Sequence, residues 1–454
     1  MTNDAGAQER AEQVDPEVEI AKLLAGGAVL AFGEHAYEPD ADKVVEALVA
    51  RSVIDADHPL RADRFATDRL LKLIGLLWEN GWQPLDLVHI VRRHQSTRSV
   101  ALVIAVILEQ ARRERFGDRA PDDWLAQLQS LEPGGLATGA DSGRSSEGWL
   151  VTRWQFGQRI GPWDGWTDVL RLIGQLQSLH RLTPLVPPPS AWDRPSPQRP
   201  QRPRTTARVG PTDARDRLGH DPRMLGKIRA LLSKAEATTF SEEADAFTEK
   251  AQDLMTRYAI DEALLDDADG HREVDTIRIH VDNPYAQAKA QLLSTVGAVN
   301  RVRVIWDDHH GMATAVGMAI DLQLVEMLFT SLLVQATRAL TEAGNIRRDE
   351  PGYRSGRPNR SPSFRRAFLY SYANRIGERL EESGARAGAA ASSSHGAELV
   401  PVLAKRAEAV DATFDRLFPE TREMRSRSVD ARGWHAGAAA ADRAVFASGQ
   451  VTTG

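Results

Sequence analysis

Residues 227–261 read KIRALLSKAEATTFSEEADAFTEKAQDLMTRYAID, and this stretch sets the architecture of the second half of the chain. Just upstream, Pro222 supplies the fixed φ that suits a first helical turn, and Leu225, Ile228, Leu231, Leu232 and Ala235 then recur at helical spacing. Thr238, Thr239 and Phe240 break the pattern. Ser241 offers an N-cap, with Glu242 and Glu243 placed to complement the helix dipole. The second helix carries Ala244, Phe247, Ala251, Leu254, Met255 and Tyr258 on a face that can bury against the first. A short third helix, residues 261–265, is expected to close the unit. A hairpin this small buries little apolar area alone, so it should lean on the segment that follows.

The same stretch resembles the bacterial and phage family called domain of unknown function 2786, and the resemblance covers the whole small domain, residues 221–266. Further on, SPSFRRAFLYSYANRIGERL (361–380) and GWHAGAAAADRA (433–444) look like the α+β companion region often attached to that family, here expected over residues 273–450. The resemblance implies no established activity, cofactor or catalytic residue.

Residue patterning in that companion region changes period. Residues 275–281 alternate, residues 302–306 are short and β-branched, and residues 312–318 can pair with them. Residues 284–299 form a helix between the first two strands. Asp321 then caps a long amphipathic helix bearing Val325, Leu328, Phe329, Leu332, Leu333, Ala336 and Leu340, ended by Gly344. Helices are expected over 363–382, 401–418 and 432–446, with mobile loops at 345–361 and 384–396. The expected result is a small sheet covered by helices.

Upstream, residues 14–185 read as an all-helical domain. Phe65, Leu70, Leu73, Ile74 and Leu77 share one helical face, Asn80-Gly81 supplies a left-handed end, and Pro84 opens the next helix, to His94. Residues 99–113 are apolar almost all round and should be central. Trp78, Trp82, Trp124, Trp149, Trp154, Trp163, Trp166 and Trp192 crowd this half; core packing explains them better than a ligand cleft does. The helix pair around Gly81 has a turn of the length found in DNA-reading helix-turn-helix units, with Arg92 and Arg93 on its second helix, but the acidic surroundings favour an ordinary hairpin. Residues 133–147 read as a flexible Gly/Ser loop, and 186–220 as a disordered Pro/Arg linker. The fold class is therefore mainly α with a small α+β part.

At 454 residues and 42% hydrophobic the chain supports more than one core. The absence of cysteine excludes disulfides, thiolate metal sites and cysteine nucleophiles. An acidic amino terminus is the wrong sign for a signal peptide, and the most apolar run, residues 100–108, is shorter than the roughly 20 residues a membrane helix needs, so a cytoplasmic protein without a membrane partner is expected. Charge is unevenly placed: residues 1–60 hold 13 acids and 4 bases, whereas residues 345–380 hold 9 arginines and 3 acids.

Two constellations carry chemistry. Arg347, Arg348, Arg354, Arg357 and Arg360 precede Arg365, Arg366, Arg375 and Arg379 on a predicted helix, near Tyr353, Tyr370 and Tyr372. Guanidiniums beside tyrosines suit phosphate contact with base stacking, and the alternative is a solvated face that pairs with the acidic amino-terminal region. Asp307, Asp308, His309 and His310 are hard-cation and zinc ligand types, and with help from Asp321 could activate water as a metal-dependent hydrolase. Neighbours on a strand point to opposite faces, so a polar hairpin turn is the better reading. Phosphate-cradling glycine loops, nucleophile elbows and a zinc-protease helix are absent. The expectation is a non-enzymatic binding module without a cofactor, partnered by nucleic acid, a nucleoprotein or another protein, with metal-dependent hydrolysis and protein scaffolding as alternatives.

Overall fold

Helical periodicity dominates the sequence, and the computed structural model follows it over residues 15–33, 36–54, 57–132, 150–192, 222–237, 241–269, 274–345, 361–395, 399–421 and 431–443, which are the residues described. The chain divides into two units, residues 1–214 and 215–454. Among the described residues there are fifteen α-helices and one three-stranded antiparallel sheet, a mainly α protein with a small α+β part.

The first unit is built from α1 (Pro16–Ala31), α2 (Glu38–Ile54), α3 (His58–Glu79), α4 (Pro84–His94), α5 (Thr97–Arg113), α6 (Asp122–Leu131), α7 (Leu150–Gln158) and α8 (Pro162–Ser178). Leu70, Leu73, Ile74 and Leu77 form the buried stripe of α3. Gly81, at φ +85°, turns the chain after it; a Cβ there would meet the Leu182 carbonyl oxygen at 2.6 Å, so both conformation and space demand glycine. Asp86 accepts from the Gln83 N–H at 3.0 Å and fixes the start of α4. Leu87, Val88, His89, Ile90 and Val91 are all buried, which makes α4 the enclosed helix. Residues 99–113 are central as expected: α5 buries Leu102, Val103, Val106 and Ile107 and packs against α3, α4, α6, α7 and α8, although Ile104 and Leu108 are only partly covered. An enclosed α4 also has no face to lay against a base-pair edge, so the hairpin reading of this helix pair stands and DNA reading by it falls.

Six tryptophans, Trp78, Trp82, Trp124, Trp154, Trp166 and Trp192, are buried, whereas Trp163 is 42% exposed and Trp149 lies outside the described residues. Indole N–H groups of Trp78, Trp82, Trp154 and Trp192 donate to Gln110, His180, Arg98 and Pro187 oxygens at 2.8 to 3.1 Å, satisfying the polar edge of rings whose faces are apolar. Trp192 packs edge-on against Phe116 and Trp124, with Pro189 buried beside it, so residues 186–192 belong to this core and not to a linker. The rest of the expected linker and residues 133–149 lie outside the described residues. Asp63 on α3 is buried and accepts from the backbone N–H groups of Val151 and Thr152 at 3.2 and 2.7 Å, capping α7 from a distance. Burial pushes its carboxyl above the ordinary range despite those hydrogen bonds.

The second unit comprises α9 (Pro222–Ala237), α10 (Ser241–Asp269), β1 (Val274–His280), α11 (Ala286–Val299), β2 (Arg303–Asp307), β3 (Met312–Met318), α12 (Ala319–Asn345), α13 (Pro362–His395), α14 (Leu399–Leu417) and α15 (Ala431–Arg443). β3 is central and antiparallel to both neighbours, so β1 and β2 run parallel and α11 connects them. Alternation splits the sheet's residues between two cores. Ile277, Ile279, Ala313, Ala315, Val304 and Trp306 join the main core with α9 to α13 and α15, while Val274, Ile305, Val316 and Met318 meet Val410 and Phe414 of α14. Leu225, Ile228 and Leu232 from the hairpin lie in the main core, each contributing roughly 1.5–3 kcal/mol by leaving water.

Three expectations change here. The short third helix is continuous with α10, which runs unbroken to Asp269. Residues 384–395, read as a flexible stretch, are the last turns of α13, because alanine is the strongest helix former and outweighs Gly384 and the serines. α12 starts at Ala319, which places Asp321 inside its first turn and not at the cap. α12 is long and apolar enough to span a bilayer, yet Leu322, Val325, Leu328 and Leu332 bury it in the core. Residues 346–360 lie outside the described residues.

Candidate nucleic-acid interface

α13 positions the arginines that fall on described residues. Its buried stripe is Phe364, Phe368, Tyr372, Ile376 and Leu380, and Ser361 Oγ accepts from the Phe364 N–H at 3.2 Å to cap the start. That stripe turns Arg366 to solvent and leaves Arg365 half-covered. Arg375 and Arg379, roughly two and a half and three and a half turns beyond Arg366, do something else. Arg375 bonds Asp442 and, at 2.5 Å, Glu378, and the hydrogen bond to Asp442 with that carboxylate's charge raises its pKa further. Arg379 donates to the Ala441 carbonyl. Both fasten α15 onto α13, so the four described arginines separate into an internal pair, Arg375 and Arg379, and the half-covered Arg365 with exposed Arg366. Arg347, Arg348, Arg354, Arg357 and Arg360 lie outside the described residues, as does Tyr353. Tyr372 is 1% exposed and stacks on Phe368, so it offers no face to a base.

The Asp307–His310 quartet forms the turn between β2 and β3. Asp307 Oδ1 accepts from the His310 N–H at 3.1 Å and Oδ2 lies 2.5 Å from His310 Nδ1. Burial pushes the Asp307 carboxyl up, but these hydrogen bonds and the imidazole charges outweigh it, leaving the carboxyl below its ordinary value. His310 is 6% exposed with Nε2 buried, Asp308 accepts from Trp306 Nε1 at 3.3 Å, and His309 is exposed. Asp321 cannot assist: it follows the far end of β3, about 20 Å away along a seven-residue strand, and binds Arg301 at 2.8 Å. Among the described residues no three His, Asp or Glu side chains are placed to share a metal ion. The quartet is a turn with an Asp–His clasp.

Residues 223–262 match a family model described as "Protein of unknown function (DUF2786)". This segment is similar to the DUF2786 family. No curated protein and no solved structure matches the chain. The DUF2786 segment covers α9 and most of α10, and its apolar residues point into the core just described, with Ala251, Met255 and Tyr258 of α10 beside Leu225 and Ile228. Its outward side holds a feature that reading the apolar stripe alone passed over. Arg223, Lys227 and Lys234 are exposed at helical spacing on α9, alongside exposed Gly226, Ala230, Ser233 and Ala237. The signal was present in the sequence as the complement of the stripe Leu225, Ile228 and Leu232.

Proposed function

We propose that the second unit is a non-enzymatic module that binds nucleic acid, with Arg365 and Arg366 at the start of α13 making phosphate contacts, in a protein of the cytoplasm. The observation that carries this reading is where those arginines stand. A helix start is the positive end of its dipole, and a cation there costs about 0.3–1 kcal/mol. Yet α13 has no acidic residue in its first turn and two arginines directly after it. Positive charge gathered against the local preference of the helix suits an anionic partner.

A salt-titrated binding assay on a DNA duplex tests it. Arg365→Ala/Arg366→Ala should weaken binding and reduce the log–log salt slope by roughly 2, close to one released counterion per lost phosphate contact. Arg375→Ala should leave the slope unchanged, because that side chain is spent on Asp442 and Glu378. Unchanged binding in the double variant would remove this assignment, and an unresponsive wild type would move the function to protein–protein scaffolding.

A further inference from the structure

On the first unit, four exposed large apolar side chains fall into two patches of opposite charge. Phe156 near the end of α7 is 86% exposed, and Trp163 at the start of α8 is 42% exposed. The Gln155 side chain fills the space beside Gly165, so the last turn of α7 packs on the first turn of α8 and the two rings flank one corner. Arg153 and Arg159 are exposed at that corner, and neither pairs with a carboxylate among the described residues. The nearby acid, Asp164, is held by Arg98 at 3.5 Å. The second patch lies where α1 turns into α2. Tyr37 is 56% exposed, its N–H donates to the Leu30 carbonyl at 2.9 Å, and Val29 is 54% exposed. α2 then runs back along α1, with Val44 2.8 Å from where a Cβ on Gly27 would lie, and carries exposed Asp42 and Glu46. Here the bases are the engaged groups, Lys43 by Asp40 at 2.7 Å and Arg171 by Glu38 at 3.4 Å, whereas neither Asp42 nor Glu46 pairs among the described residues.

A lone exposed apolar side chain is ordinary, whereas paired ones rimmed by unengaged charge mark an interaction surface, and Trp and Arg are types that often anchor one. α1 and α8 run in the same direction: a Cβ on Gly27 would lie 2.9 Å from Leu170, and one on Gly174 would meet Ala28 and Phe32. The end of α1 is thus level with Gly174, which lies about 16 Å along α8 from Trp163. The two patches therefore stand at opposite ends of this helix pair and cannot close on each other within one copy. We propose that the first unit assembles head to tail with a second copy of the chain. The Phe156/Trp163 corner of one copy docks on the Val29/Tyr37 patch of the next, with Arg153 and Arg159 facing Asp42 and Glu46. Two arginine corners repel each other, as do two acidic patches, so the contact joins unlike surfaces. A heterologous contact of this kind leaves one surface open at each end, and growth continues to a ring or a filament. It uses none of the groups assigned to nucleic acid and stands independently of that reading.

Sedimentation velocity on the full chain over a wide concentration range tests it. Wild type should exceed the 50.0 kDa of one chain, with a mass that rises with concentration and falls as salt is added. Phe156→Ala should weaken association about tenfold or more with an unchanged melting temperature, since the ring is exposed. Arg153→Glu/Arg159→Glu and Asp42→Lys/Glu46→Lys should each stay monomeric alone, because each turns the contact into one between like charges. An equimolar mixture of these two variants should assemble again, because the reversed corner of one meets the reversed patch of the other. Circular dichroism should show wild-type helix content for all three variants. A wild type that stays at the mass of one chain at every concentration overturns head-to-tail assembly. So does association that survives Phe156→Ala and the separate reversals, or a mixture that remains monomeric.

Discussion

The two units solve helix packing with opposite materials. In the first, large rings fill the space between helices: Trp124 meets Trp78 at 5.2 Å, Trp192 at 5.2 Å and Phe116 at 6.5 Å between centroids, all near perpendicular. In the second, α15 meets α13 almost backbone to backbone. A Cβ on Gly433 would lie 2.3 Å from the Phe364 carbonyl oxygen, and one on Gly437 would lie 2.2 Å from that of Phe368. Edge-to-face rings fix a core by filling it, whereas glycines fix one by leaving room, so the first core should fail through cavities and the second through crowding.

The largest effect expected from this contrast is a cavity. Trp124→Ala removes the ring at the centre of the aromatic cluster, and its neighbours sit on separate elements that cannot all collapse inward. A loss of about 3–5 kcal/mol is expected, read as a shift in the denaturant midpoint of the first unit. A loss under about 1 kcal/mol would mean that the ring is peripheral.

Crowding comes next. Gly437→Ala gains up to about 1 kcal/mol in helix propensity but forces a methyl against a carbonyl oxygen, for a net loss of about 1–3 kcal/mol in the second unit. The same swap at exposed Gly226, where nothing lies within 4 Å, should instead stabilise by about 0.5–1 kcal/mol. Opposite signs from one substitution would isolate close approach as the cause. Matching signs would show that α15 packs more loosely than its geometry indicates.

What the sequence made legible follows the same division. The stripe through Leu225, Ile228 and Leu232, the alternation of β1 and the bounds of β3 at Met312 and Met318 could be read directly, since each is a local period. Enclosure of α4 could not, because Pro84–His94 ends in Arg92, Arg93 and His94 and looks half-solvated. Nor could the pairing of Arg375 with Asp442, 67 residues apart, which split the arginine constellation. Alanine and glycine in GWHAGAAAADRA carry no stripe, so their role as a contact surface appears only once α13 lies against them. The candidate interface was thus half legible: Arg365 and Arg366 from charge density, the exposed arc of α9 only as the complement of an apolar face.

The smallest effect is a matter of sign, again dividing the units. Asp63 in the first unit is raised by burial, so relative to a variant lacking it the folded state is favoured below the unfolded carboxyl value of about 3.9 and loses that advantage as pH rises through the higher folded value. Asp307 in the second is lowered by His310. Its contribution is present above about 3.9 and disappears as pH falls through the folded value. Half-exposed Asp307 is screened by solvent, so its effect should be modest. Melting temperatures between about pH 3 and 7 separate the two. His310→Ala should remove acid sensitivity at the lower end of that range, and wild-type and variant curves should converge there because protonated Asp307 no longer distinguishes them. Parallel curves would mean that the clasp holds the β2–β3 turn by shape alone, with its charge contributing nothing.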